Sequence, residues 1–274
     1  MINKNIFQVS IGLNHNHPEI VRSINNMRNS NPSWTYHLIT EKKEIDNFML
    51  KNFGQSKDEF EKRIFKTYQE IPNIIATQSS DTEKKYLHRL IAQLDLYRVA
   101  IIYIHGGLYL DIDSELKGDF NQFTNSDAVF FIPSNKAKEI FNAVFYSVPK
   151  HEMLKILLKQ ISDNILINKF SNVYQACGPD VHTRIAQRML NYDMQNKKEI
   201  LNKQFTVDKF GVVKQLIEDR PLSYSFRYTD AYSESLMLKI EAGFKKYLYG
   251  GEHNSYWNKS RKSFIKSIKG IWEN

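Results

Sequence analysis

Apolar side chains dominate Ile6-Phe7-Gln8-Val9-Ser10-Ile11, with polar residues in alternation at Gln8 and Ser10 and a stop at Gly12. That pattern predicts a first β-strand. Pro18, a favoured first helical residue, opens a helix to about Met27, and Trp34–Ile39 reads as a second strand. A strand–helix–strand opening of this kind predicts parallel strands covered by helices. Glu41 to Glu70 shows apolar positions at helical spacing among charges, giving two amphipathic helices broken near Gly54. The stretch 41–80 is taken as a helical insertion on the sheet edge. A strongly apolar helix runs from Asp81 to Ile104 and is stopped by Gly106-Gly107. Strands are expected at Leu108–Ile112 and Ala128–Ile132, and helices at Lys136–Tyr146, His151–Ile167 and Asp180–Asn191. The last third holds strands near Phe205 and Val212, a Tyr-rich loop, and a basic amphipathic helix over 259–274. The fold class is α/β with a mostly parallel central sheet, in a single domain over 1–274.

Composition narrows the picture a little. Hydrophobic residues make up 42% of the 274, enough for a sizeable core. The formal charge of +8 favours anionic partners such as nucleotide diphosphates or acidic headgroups. The basic residues are scattered, without a nucleic-acid-binding motif, so no nucleic-acid partner is expected. One cysteine, Cys177, excludes an internal disulfide, and nothing beside it supplies the base that a thiol nucleophile needs. No apolar run has signal-peptide or membrane-span length, which sets a cytoplasmic expectation.

The chemistry concentrates between Ala92 and Asp113. Asp95 and Arg98 stand three apart on a helix, hence on one face, among Leu94, Leu96, Val99, Ile101 and Ile102. Charges in apolar surroundings must be paired or bind something. Two readings stand: a structural ion pair, or a clamp on the polar edge of a ligand, with Arg98 offering a planar fork of donors. Gly106 and Gly107 end the helix and would let backbone approach a ligand closely. Asp111 and Asp113 follow at strand spacing, which turns both to one side. Two carboxylates so placed repel unless a cation joins them, and oxygen ligands select Mg2+ or Mn2+.

Asp95, Arg98, Gly106, Gly107, Tyr109, Asp111 and Asp113 together resemble the pattern of glycosyltransferase family 32, sugar transferases of bacterial polysaccharide synthesis and fungal mannosyltransferases. The resemblance extends more distantly to the large clostridial glucosylating toxins. It implies a GT-A type nucleotide-sugar-binding fold with a divalent cation, and transfer of a hexose or N-acetylhexosamine with retention of configuration. Asp95 and Arg98 would hold the donor sugar, and Tyr109 and Asp111 would line the donor site. Gln8, Val9 and Ser10 fall where the family's first strand meets the donor, with Ser10 replacing an aromatic residue. Asn31-Pro32-Ser33-Trp34-Thr35-Tyr36 resembles the family's second-strand entry.

His253-Asn254-Ser255-Tyr256-Trp257 is similar to the toxins' closing motif. The likeness implies His253 or Ser255 as further metal ligands beside Asp111 and Asp113, and Trp257 on the leaving oxygen. Gly250-Gly251 would let that segment fold over the donor. Gln175–Asp180 resembles the family's Gly-Pro segment, though an ordinary loop and helix start would read the same. The implied partners are a UDP- or GDP-sugar, UDP favoured, and a glycan or lipid-linked glycan acceptor. The 259–274 helix suits either peripheral contact with the inner face of the cell membrane or docking on its own domain. The alternative function is a toxin or effector glycosyltransferase acting on a host protein.

Overall fold

The computed structural model describes residues 4–11, 15–16, 18–75, 82–112, 114–116, 119–123, 128–133, 141–189, 206–207, 212–216, 223–229 and 237–239. Its first strand, β1 (Asn5–Val9), leads through α1 (Pro18–Ser30) into β2 (Thr35–Ile39), and the two strands pair in parallel, Ile6 opposite Tyr36. Next come α2 (Lys42–Met49), a π-helical turn over Leu50–Gly54, and α3 (Glu59–Ile75). The buried residues Ile45, Met49, Ile64, Tyr68 and Ile71 lie on their inner faces. These helices join the main core, with α3 packed against the two helices described next.

The long α4 (Thr82–His105) is buried almost all round at Leu96, Val99, Ala100, Ile101 and Ile102. A helix apolar on every side needs cover on every side. The sheet lies on one flank, and α3 and α5 (Glu152–Leu166) lie on the other. His151 caps α5, its Nδ1 accepting from the Met153 N–H at 3.1 Å. The short α6 (Val173–Ala176) and α7 (Pro179–Met189) close that layer.

Chain reversal into β3 (Gly107–Leu110) falls on two glycines at positive φ, +65° at Gly106 and +108° at Gly107. β3 runs parallel to β1, with Leu108 opposite Ile6. The strands β4 (Ser114–Leu116), β5 (Ala128–Pro133), β6 (Phe141–Ser147), β7 (Thr206–Val207), β8 (Val212–Leu216), β9 (Ser223–Thr229) and β10 (Met237–Lys239) follow. The main sheet has the order β2-β1-β3-β6-β5-β9-β8-β7, and β4 pairs with β10 in a separate ribbon.

The α/β class holds, but the sheet is mixed rather than mostly parallel. The pairs β1–β2, β1–β3 and β5–β9 are parallel, whereas β3–β6, β5–β6, β8–β9 and β7–β8 are antiparallel. Two local expectations are corrected. Most of the helix expected over Lys136–Tyr146 is a strand: Phe141–Ser147 is β6, wedged between β3 and β5. A run of aromatic and β-branched residues between two strands gains more from ladder bonds on both sides than from helix formation. The expected Tyr-rich loop is β9, paired with β5 and β8. Its sequence Ser-Tyr-Ser-Phe-Arg-Tyr-Thr alternates with period two, the signal that identifies it as a strand. The 259–274 helix lies outside the described residues, and among these no helix is long and apolar enough to cross a membrane.

Candidate active site at the ends of β1 and β3

The chain goes from β1 to β2 on one side and returns to β3 on the other. In open α/β sheets such a reversal leaves a crevice beyond the carboxyl ends of the two diverging strands. Ser10 stands there after β1, and Asp111 after β3.

Helix α4 brings Asp95 and Arg98 beneath Asp111. Arg98 Nη2 meets Asp95 Oδ1 at 3.1 Å, and Nη1 meets Asp111 Oδ1 at 3.2 Å. The same Nη1 donates to the Asn142 carbonyl at 2.9 Å, and Asn142 Nδ2 donates back to Asp95 Oδ1 at 3.1 Å. The guanidinium lies 4.9 Å from the Tyr109 ring centre, and the Tyr109 hydroxyl donates to Asp111 Oδ1 at 3.3 Å. The Asp95–Arg98 pair is thus a buried ion pair, and it is tied to the first aspartate of the Asp-x-Asp motif.

One cation thus serves two carboxylates in a nearly dry place. The Asp95 side chain is 5% exposed and that of Asp111 29%. Burial pushes the Asp95 carboxyl up to about 7, and nearby Asp111 adds to the rise, while Arg98 and the Asn142 hydrogen bond oppose it. Burial works against the charge on Arg98, but Asp111, Tyr109 and Asp95 outweigh it, so Arg98 stays firmly cationic. Burial, above all, raises the Tyr109 hydroxyl and keeps it a donor.

Gln8 sends its side chain inward: Nε2 donates to the Asp111 carbonyl at 3.0 Å, and Oε1 accepts from the Tyr36 hydroxyl at 2.7 Å. Val9 is a core residue. Ser10 is held by its N–H on the Ile39 carbonyl at 2.8 Å, and its buried hydroxyl has no partner among the described residues. Trp34 is core as well, edge-on to Phe120 and Tyr146, with Nε1 donating to Asn121 Oδ1 at 3.1 Å.

Both glycines are packed closely against the rest of the protein. A Cβ on Gly106 would meet Pro149 Cδ at 2.6 Å, and one on Gly107 would meet the Asn5 carbonyl at 2.4 Å. What they admit at close range is the protein's own backbone and Pro149. Cys177 is buried, with its thiol raised by that burial, which agrees with the expectation that it is no nucleophile. Its turn borders the ion cluster, since Asp95 and Arg98 both act on the thiol electrostatically.

Asp113, His253, Ser255 and Trp257 lie outside the described residues. Among the described residues no cluster of three or more His, Cys, Asp or Glu could hold a metal. Asp111 fits a hard cation in kind, being a part-exposed carboxylate at a strand end. Sequence reasoning gave Asn142 no role and named Tyr36 only as part of the second-strand entry. Asn142 sat in a misassigned helix, and Tyr36 reaches the cluster only through Gln8.

Residues 18–130 match the family profile described as a glycosyltransferase sugar-binding region containing a DXD motif. That stretch of the chain is similar to the glycosyltransferase sugar-binding region. Asp95, Arg98, Gly106, Gly107, Tyr109, Asp111 and Asp113 all fall within that matched stretch, in agreement with the resemblance drawn from them. A solved structure titled PaToxG glycosyltransferase shares the fold, at 19% identity and TM-score 0.51, over 72% of this chain and 74% of that one. The matched stretch thus sits in a GT-A type fold. Two further structures match at 12% identity: the glycosyltransferase domain of the YGT toxin (TM-score 0.35, 72% of this chain, 68% of that one) and the catalytic domain of alpha-toxin from Clostridium novyi (TM-score 0.36, 75% and 65%). A search of curated proteins finds no match.

Proposed function

We propose that this glycosyltransferase is metal-dependent and retaining, moving a hexose or N-acetylhexosamine from a UDP- or GDP-sugar to a glycan or lipid-linked glycan in bacterial surface polysaccharide synthesis. The observation that carries this reading is the tie from Asp95 through Arg98 to Asp111 at the end of β3. A buried charge cluster opening on a part-exposed carboxylate at the sheet's switch point is a costly arrangement, and such cost is expected at a functional site.

In this proposal Asp111 and Asp113 hold Mn2+ or Mg2+, with His253 or Ser255 completing the ligands. When bound, the cation supplies charge neutralisation for the diphosphate leaving group. Asp95 and Arg98 take the hydroxyls of the donor sugar, and Ser10, with its unpartnered hydroxyl, receives a polar atom of the nucleotide half. Gly106 and Gly107 shape the turn that sets Tyr109 and Asp111, and Trp257 donates its indole N–H to the departing oxygen. Retention needs no carboxylate nucleophile if the acceptor enters on the leaving-group face with the phosphate as base. Asp95, whose Oδ1 already holds Arg98 and Asn142, suits hydroxyl binding better than attack. Peripheral contact with the inner membrane face through 259–274 would bring lipid-linked acceptors close.

A screen of UDP- and GDP-sugars with Mn2+, read by slow hydrolysis and thermal stabilisation, tests this. One donor is expected to be hydrolysed, and Asp113→Ala and Asp111→Ala to abolish it. Full metal-dependent turnover in Asp113→Ala would refute the ligand assignment. Labelling of a host protein instead of a glycan would favour the toxin or effector reading, which the same motif serves equally.

A further inference from the structure

The geometry points to Gln8 and Tyr36 as a positioning pair that aims Asp111, an inference that rests on the metal-holding role proposed for that residue. Gln8 is completely buried on β1. A primary amide in such a place is costly unless both ends are hydrogen-bonded. Here both ends are engaged within the protein: the oxygen takes the Tyr36 hydroxyl at 2.7 Å, and the nitrogen holds the Asp111 carbonyl at 3.0 Å.

The location explains the need. The β1–β3 ladder ends with Phe7 opposite Tyr109, two residues short of Asp111. Beyond that point the Gln8 side chain takes over the link between the strands. On the other flank, the Asp111 N–H donates to the Ala143 carbonyl at 2.8 Å. Asp111 is therefore pinned through its N–H by β6 and through its carbonyl by β1, which leaves its Cα–Cβ bond little freedom. Arg98 and Tyr109 then hold the carboxylate itself. The outer end of the chain is anchored too, because the Arg28 guanidinium of α1 lies 4.7 Å from the Tyr36 ring centre. Outer-shell groups of this kind set ligand direction, and their loss typically weakens metal binding about 10- to 100-fold.

The test is a Mn2+ titration in the presence of UDP, with free Mn2+ read by electron paramagnetic resonance, beside thermal melts without metal. Gln8→Leu is expected to raise the Mn2+ dissociation constant about tenfold. Tyr36→Phe moves it in the same direction by a smaller factor, and the double variant matches Gln8→Leu alone, because the two groups act in series. Lower melting temperatures with an unchanged Mn2+ constant would show a merely structural role and overturn the inference, as would additive effects in the double variant. Should Gln8→Leu not fold, an unchanged constant in Tyr36→Phe overturns it by itself. A wild type that binds no Mn2+ refutes the proposed function and this inference with it, a result distinct from equal binding by wild type and variants.

Discussion

Replacing Asp95 with Asn should stabilise the protein at alkaline pH, against the usual expectation for breaking a buried ion pair. The cluster holds Asp95, Arg98 and Asp111, two anions sharing one cation. Asp95→Asn leaves Arg98 paired with Asp111 and the Asn142 carbonyl, and the count of charges balances. Arg98→Met instead removes the guanidinium that both carboxylates share. The rise of the Asp95 carboxyl from 3.8 to about 7 sets the scale: about 4 kcal/mol of excess cost for the charged form. The new amide must still be accommodated beside Arg98, so about half of that, ~2 kcal/mol, is expected, or roughly 5 °C in melting temperature. The sign follows from proton binding. Native Asp95 keeps its proton up to about 7, whereas the unfolded chain releases it near 3.8. Wild-type stability from this group is therefore full below pH 4 and is lost as pH rises towards 7. Asp95→Asn and wild type should melt alike near pH 4 and separate steadily towards pH 8, in EDTA. Arg98→Met should lose about 3–5 kcal/mol at pH 8. A destabilised Asp95→Asn at pH 8, or an advantage that grows on acidification, would refute this charge accounting.

His182 is buried beside Phe145, donates through Nδ1 to the Gly178 carbonyl at 3.2 Å, and is lowered by burial to about 4. Its folded pKa lies below the unfolded 6.5, so stability falls as pH drops from 6.5 towards 4, by about 3 kcal/mol in total. His182→Phe should gain on wild type between pH 7 and pH 4.5 in parallel melts, and a constant gap would contradict the assignment. Gly107→Ala places a Cβ 2.4 Å from the Asn5 carbonyl at φ +108° and should cost at least about 2 kcal/mol by urea titration, a loss under 0.5 kcal/mol being contrary to it.

Local order along the chain was sufficient for several elements. The apolar stretch ending in Gly106-Gly107 could hardly be other than a buried helix turning into a strand, because periodicity and glycine punctuation are short-range properties. Asp95, Arg98 and Asp111 were legible for the same reason: helical spacing put the first two on one face, and the motif placed the third just downstream. Tertiary structure decided the rest. Gln8 and Asp111 are 103 residues apart in sequence, and Arg98 and Asn142 are 44 apart, so no local window contains either contact. The mixed strand directions followed from β6 inserting between β3 and β5, which pairing energy settles and single-strand propensity does not. Charge sharing belongs to the same class. A sequence shows two acids and an arginine, but only the packed helix against the strand end makes one guanidinium answer for both carboxylates in the near absence of water.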